Sequence, residues 1–157
     1  MGQQIILPPA YQRPSGMLLL GADQLNILAG GVDVTIEIDT IPAAFTDGIE
    51  NAGTYRITPG VAGFYCIVAN IRFFNVINDK AYSANIFLDG ARIATNLMHA
   101  SDPAITSINS VCVLPCQYLS AINFLELVAN CYAGANTVDI LGDVASQSTF
   151  LAVQRVR

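Results

Sequence analysis

Apolar and polar residues alternate with a period of two through much of this chain. Over residues 32–39, Val and Ile at every second position are separated by Asp, Thr and Glu. Such an alternation is typical of a strand with one buried face. The twelve-residue run at residues 63–74 predicts a strand with Tyr65, Ile67, Ala69, Ile71 and Phe73 on one face. The other face carries Phe64, Cys66, Val68, Asn70 and Arg72, and because both faces are largely apolar at one end, we expect the strand to be covered on both sides there.

Further strand-like runs, rich in β-branched and aromatic residues, follow at residues 82–87, 92–97, 105–114, 121–132, 137–141 and 150–156. Between the first two lies Asp89-Gly90, a pair that favours a type I′ hairpin turn. No window keeps a helical stripe of apolar residues beyond two turns. Eight to ten short strands indicate an all-β antiparallel sandwich, barrel or jelly roll.

The first 20 residues lack this pattern. Pro8, Pro9 and Pro14 interrupt both helix and strand there. We therefore predict an extended N-terminal arm at residues 1–20 and one β domain at residues 21–157. A total of 157 residues agrees with a single domain.

Charge is scarce for a protein of this size. Charged residues make up 12% of the chain and hydrophobic residues 53%, whereas soluble proteins average about 25% charged residues. Obligate interfaces are depleted in charge, so part of the surface is predicted to be covered by other chains. Aromatic residues beside low-charge stretches lead to a set of interface candidates: Phe64, Cys66, Phe74, Tyr118 and Phe150.

The sign and spacing of the charges exclude some partners. The net charge is −5, and one lysine and six arginines are spread singly along the chain. A nucleic-acid-binding domain normally carries a basic patch, so no nucleic acid is expected. No apolar stretch approaches the length of a membrane span, and no signal peptide is recognisable, so no membrane partner is expected.

The four cysteines leave three interpretations open. Cys66 and Cys131 lie inside apolar runs, and Cys112 and Cys116 form a C-x-x-x-C pair across Pro115. Buried free thiols are the first interpretation, and one or two disulfides are the second. A zinc site is the third, but it lacks a second Cys/His pair, since His99 is the only histidine.

No motif predicts catalysis. His99 and Asp102 lie three residues apart, but nothing aligns them with a serine nucleophile. The aspartates fall mostly at predicted strand ends, where they cap turns; a calcium site made from loop carboxylates is the alternative. Asp47-Gly48 and Asp89-Gly90 are predicted turn formers. We expect no enzyme activity, no cofactor and no metal.

The strand pattern resembles the C1q/TNF-like jelly-roll family. An aromatic residue, an asparagine, a short strand and a G-x-Y triplet occur in the family's order, at Phe45, Asn51, Tyr55, Ile57 and Gly63-Phe64-Tyr65. Residues 148–153 are similar to the family's last strand, and residues 86–90 are similar to a hairpin common in bacterial and phage members. The resemblance implies a jelly roll of about ten strands that forms a homotrimer with an apolar axis.

A trimer that carries only a short arm resembles the decoration, or cement, proteins of tailed-phage heads. The resemblance implies a structural virion protein that is made in the host cytoplasm and clamps neighbouring major capsid subunits on the capsid exterior. The residues expected to anchor the arm to the capsid are Ile5, Ile6, Leu7 and Tyr11. The alternatives are a receptor- or glycan-binding head of a phage fibre, which would bind through loops 75–81 and 133–137, and a secreted ligand of the TNF type.

Overall fold

The computed structural model describes residues 15–28, 30–42, 49–132, 137–143, 145–146 and 148–156. Within these ranges the chain forms twelve strands and one 3₁₀ turn (Ala52–Thr54). The strands are β1 (Ser15–Leu19), β2 (Gln24–Leu28), β3 (Val34–Thr35), β4 (Glu50–Asn51), β5 (Arg56–Ile57), β6 (Gly63–Phe74), β7 (Lys80–Leu88), β8 (Ala91–Ala100), β9 (Ser107–Leu119), β10 (Leu125–Cys131), β11 (Val138–Ile140) and β12 (Phe150–Arg155).

The strands form two antiparallel sheets that face each other across one hydrophobic core. Sheet A has β6 at its centre, with β9 on one side and β12 and β11 on the other; β1 pairs with β12, and β2 with β11. In sheet B, β10 lies between β7 and the short strands β3 and β5, and β8 forms an edge. Both sheets contribute to the core. The predicted all-β antiparallel sandwich is confirmed.

Strand β6 has the predicted length and the predicted alternation of two faces. It spans Gly63–Phe74, and the face that carries Tyr65, Ile67, Ala69, Ile71 and Phe73 is fully buried. Residues at the intervening positions are half-buried or exposed from Phe64 onward. The alternation fixes the register because a shift by one residue would turn the buried set toward the solvent.

The β7–β8 hairpin also forms as predicted. Asp89 and Gly90 have φ values of 50° and 80°, which a type I′ turn requires at its two central residues. The Asp89 carboxylate accepts hydrogen bonds from the Phe124 backbone N–H at 2.9 Å and from the Asn123 side-chain amide. The turn therefore also holds the β9–β10 connection. Asp47-Gly48, the other predicted turn former, lies outside the described residues.

The predicted boundary of the N-terminal arm is wrong. Residues 15–19 form β1, which pairs with β12 from Ser15–Gln154 to Leu19–Phe150. Leu18, Leu19 and Leu20 are buried, so this apolar run belongs to the sandwich. Apolar and polar residues do not alternate in this run, because both sides of the strand are covered. Residues 1–14, including Ile5, Ile6, Leu7 and Tyr11, lie outside the described residues.

Two other predicted strands differ in extent. Over residues 32–39 only Val34–Thr35 form a ladder, although Ile36 and Ile38 are fully buried as the alternation predicts. Strand β9 continues beyond residue 114 to Leu119, through Pro115. Proline is tolerated there because β9 is an edge strand with a register shift at this point. In the described part of the chain, no helix has the length and hydropathy needed to span a bilayer.

Candidate functional site

The interface candidates lie on the outer side of sheet A, the side that faces away from the core. On β6, residues Phe64, Cys66, Val68 and Phe74 point away from the core, because their neighbours in sequence point into it. Tyr118 of β9 lies opposite Phe64, and the two rings form an edge-to-face pair with centroids 5.4 Å apart. We call this surface the sheet-A face. Its apolar members are Phe64, Cys66, Val68, Phe74, Val111, Val113, Tyr118, Phe150 and Ala152.

All five interface candidates lie on this face, but not in one cluster. Phe64, Cys66 and Tyr118 are at one end, and Phe150 lies near the centre, opposite Asn70. Phe74 is at the other end, ten residues from Phe64 along β6, which is about 33 Å of extended chain. The candidates are therefore distributed along the whole length of the sheet-A face.

The sequence analysis missed the two valines of β9. Val111 and Val113 are 47% and 52% exposed, whereas Ser110 between the sheets is fully buried. The Ser110 hydroxyl accepts a hydrogen bond from the Ala84 N–H at 3.2 Å and donates one to the Asn96 carbonyl at 3.0 Å, so it joins the edges of the two sheets. Hydropathy alone assigns the valines to the core. Alternation gives no better signal, since counting from the polar Ser110 also places both valines on the buried side.

Two shallow hollows interrupt the sheet-A face. The first, of about 340 Å³, is lined by Ser15, Cys66, Val68, Ala152, Val153 and Gln154. The second, of about 440 Å³, is lined by Phe64, Pro115, Cys116 and Val156. Both lie at the end of the face that carries the aromatic pair, so side chains of another molecule have recesses to enter there.

Polar side chains also lie on the outer side of sheet A, and some of their atoms have no hydrogen-bond partner. Asn70 donates through its side-chain amide to the Ser148 carbonyl, but its Oδ1 and the Nε of Arg72 are buried without a hydrogen bond. A hydrogen bond from Ser146 is the main cause of the lowered pKa of the Asp143 carboxyl; the Ala145 N–H and the charge of Arg72 add to it. Asp139 also faces this side, where it accepts hydrogen bonds from Asn75 and Asn26.

The outer side of sheet B is different, because it carries paired charges. Arg92 forms an ion pair with Asp33, in which Nη2 donates to both carboxylate oxygens at 2.7 and 2.8 Å. Arg56 pairs with Glu126 at 3.0 Å and lies over the Phe124 ring. The outer side of sheet B thus carries two ion pairs beside apolar residues such as Leu97, which is 59% exposed, whereas the sheet-A face carries the aromatic pair and the two exposed valines.

The chemical groups considered from the sequence do not assemble into a catalytic or metal site within the described ranges. His99 is an exposed residue of β8 opposite Ala81, and the Asp102 carboxylate caps its own turn by accepting from the Ala104 N–H at 2.8 Å. No group of three or more His, Cys, Asp and Glu residues is placed to hold a metal ion in the residues that the structure describes.

The four cysteines form no disulfide in the structure, and they lie in different surroundings. Cys112 and Cys131 are buried in the core, and burial raises the pKa of the Cys112 thiol. Cys66 is half-buried and Cys116 is exposed. The interpretation as buried thiols therefore describes Cys112 and Cys131, but not Cys116.

Comparison with known proteins defines the class of fold. No family model matches the sequence, and no curated protein matches it. The structure is similar to that of Eiger TNF from S. frugiperda, with a TM-score of 0.61 and 9% identity over 93% of this chain and 94% of that chain. The sandwich is therefore a TNF-like jelly roll, and the resemblance to the C1q/TNF-like fold is confirmed. At this identity the similarity concerns the fold alone; Phe45, one of the residues that suggested it, lies outside the described residues.

Proposed function

We propose that this protein is a homotrimeric structural protein whose copies associate through the sheet-A face. The observation that carries the proposal is the set of large apolar side chains that lie 42–54% exposed on the sheet-A face: Phe64, Val111, Val113 and Tyr118. Interfaces that hold subunits together permanently are apolar and poor in charge. Homotrimers are typical of the TNF-like fold, which makes another copy of this chain the natural occupant.

The geometry of the face is suited to a closed ring. In a trimer each copy uses two different surfaces, one toward each neighbour. Sheet A provides both, because β6 and β12 form its broad centre and β9 forms its edge. Val111 and Val113 on that edge meet the centre of the next copy, where Val68, Phe150 and the hollow beside Cys66 lie.

In its finer form, the proposal makes the trimer a capsid decoration protein. The trimer sits on the capsid exterior and clamps neighbouring major capsid subunits. Residues 1–14 precede β1, and their apolar residues Ile5, Ile6, Leu7 and Tyr11 anchor each copy to the capsid. Three linked anchors bind more tightly than one by a factor of about 10²–10⁴ when all three reach their sites.

The test combines particle counting with arm variants. Imaging of virus particles is expected to show the protein on the head in hundreds of copies. Removing residues 2–14, which spares β1, is expected to abolish capsid binding, and so is replacing the four anchors with Ala. A Gln3→Ala/Gln4→Ala variant is the matched control and keeps binding. Unchanged binding after deletion would refute the arm, and binding of the isolated protein to host cells or sugars would replace decoration with receptor recognition.

A further inference from the structure

Two of the four thiols lie side by side across β6 and β9. The register between these strands passes from Tyr65–Gln117 to Ile67–Leu114, so Cys66 is opposite the two-residue bulge formed by Pro115 and Cys116. In a bulge of this kind, two residues of one strand face a single residue of the other. Cys66 therefore lies opposite both Pro115 and Cys116 across the strands.

The positions of the two residues suit a covalent bond. Residues directly opposite each other in antiparallel strands have Cα atoms about 4.5–5.5 Å apart, and disulfides span Cα distances of about 4.4–6.8 Å. Cys116 lines the same hollow as Phe64, which precedes Cys66 by two residues on the same side of β6. Both side chains thus lie on the outer side of sheet A.

The surroundings separate this pair from the other two cysteines. Cys116 is exposed beside a hollow of about 440 Å³, which gives a small oxidant access to it. Cys112 and Cys131 are almost fully buried and offer no such access. Reactive cysteines are those that a reagent can reach, so the chain contains one reactive pair and two inert thiols.

We propose that Cys66 and Cys116 are an oxidisable pair that a low-molecular-weight disulfide, such as glutathione disulfide, converts into an intrachain disulfide. The bond joins two residues of one chain, but both lie on the sheet-A face that the proposed trimer covers, so the oxidant reaches them before the copies associate or during refolding. The thiols stay reduced in a reducing cytoplasm and pair after release into an oxidising environment.

The reaction proceeds by two successive thiol–disulfide exchanges. The Cys116 thiolate attacks one sulfur of glutathione disulfide, forms a mixed disulfide and releases one glutathione thiolate. The Cys66 thiolate then attacks the Cys116 sulfur and releases the second glutathione thiolate. The two protons lost by the cysteines are taken up by the two thiolates released, so the protein loses two electrons and glutathione disulfide gains them.

The bond fastens the edge strand β9 to the centre of sheet A. It closes a loop of about 50 residues, and cross-links of this kind stabilise proteins mainly by restricting the unfolded chain. The expected shift is a rise in Tm of about 5–10 °C on oxidation, reversed by a reducing agent.

The experiment treats the purified full chain with glutathione disulfide, both as the native protein and during refolding from denaturant. Intact mass spectrometry is expected to show a loss of about 2 Da, the mass of two hydrogens, in the wild type and in Cys112→Ala. The loss disappears in Cys66→Ser and in Cys116→Ser, two substitutions near the surface. Cys112→Ala is the matched control because it removes a thiol four residues from Cys116.

Three results would overturn the proposal. The first is a glutathione adduct that stays on Cys116, because it would show that Cys66 is out of reach. The second is a disulfide that involves Cys112 or Cys131, or that joins two chains on a non-reducing gel. The third is a chain that remains fully reduced after both treatments.

Discussion

Replacing Val113 with Asp tests whether the sheet-A face is buried between copies of the chain. Val113 is 52% exposed on an edge strand and lies opposite Val68, which points to the same side. In a single chain the new carboxylate remains in water, so the subunit is expected to fold. In the proposed assembly the same carboxylate is buried among apolar side chains, where a charge without a partner costs several kcal/mol.

The size of the effect follows from proton binding. A buried carboxyl group avoids the charge by staying protonated, and its ordinary pKa is about 3.9. Holding it protonated at pH 7 costs about 4 kcal/mol per copy, which lowers each association constant by about 10³. At pH 5 the cost falls to about 1.5 kcal/mol. The assembled state binds the extra proton, so association of this variant strengthens as the pH falls.

Sedimentation velocity over a range of concentrations measures this effect. Val113→Asp is expected to dissociate at pH 7 and to recover partly at pH 5, whereas Val113→Asn is expected to show no such recovery. Val32→Asp is the matched control, because Val32 is 62% exposed but lies outside the sheet-A face, next to Asp33 of the sheet-B ion pair. The reasoning is refuted if Val113→Asp sediments like the wild type at both pH values.

Three further predictions concern the stability of the fold, measured by urea unfolding at one protein concentration. Gly142→Ala is expected to destabilise the protein by about 1–3 kcal/mol, because the added Cβ would overlap the Ala22 carbonyl oxygen. Gly90→Val is expected to cost about 1–2 kcal/mol, since Gly90 has φ near 80° and valine avoids that region; Gly90→Asn, which tolerates it, is the control. Ile71→Ala leaves a cavity in the core and is expected to cost about 2–5 kcal/mol. An unchanged urea midpoint in any of the three would contradict the packing at that position.

The sequence predicted the elements whose local pattern and tertiary surroundings agree. Strand β6 has a buried side and an open side, and its alternation records both. The Asp89-Gly90 turn depends on local backbone preferences, which the residues themselves carry. For the same reason, the alternation separates Phe64, Cys66 and Phe74 from the buried residues of β6.

Elements determined by distant contacts were harder to predict. The apolar run at the end of the predicted arm forms a strand only because β12 provides an edge for pairing. On β9 the valines are exposed and Ser110 is buried, the opposite of what hydropathy predicts. The Ser110 hydroxyl is buried because it has two backbone hydrogen-bond partners, one on β7 and one on β8. Neither partner lies near Ser110 in the sequence, so no local pattern could indicate them.

Multi-angle light scattering on the purified wild-type protein tests the central claim most directly. If the sheet-A face is covered by other copies, the mass is expected to be about 50 kDa, three times the 16.7 kDa chain, and to persist on dilution. A single species of 16.7 kDa at all concentrations would contradict the account, because the apolar face would then be open to water in the working protein.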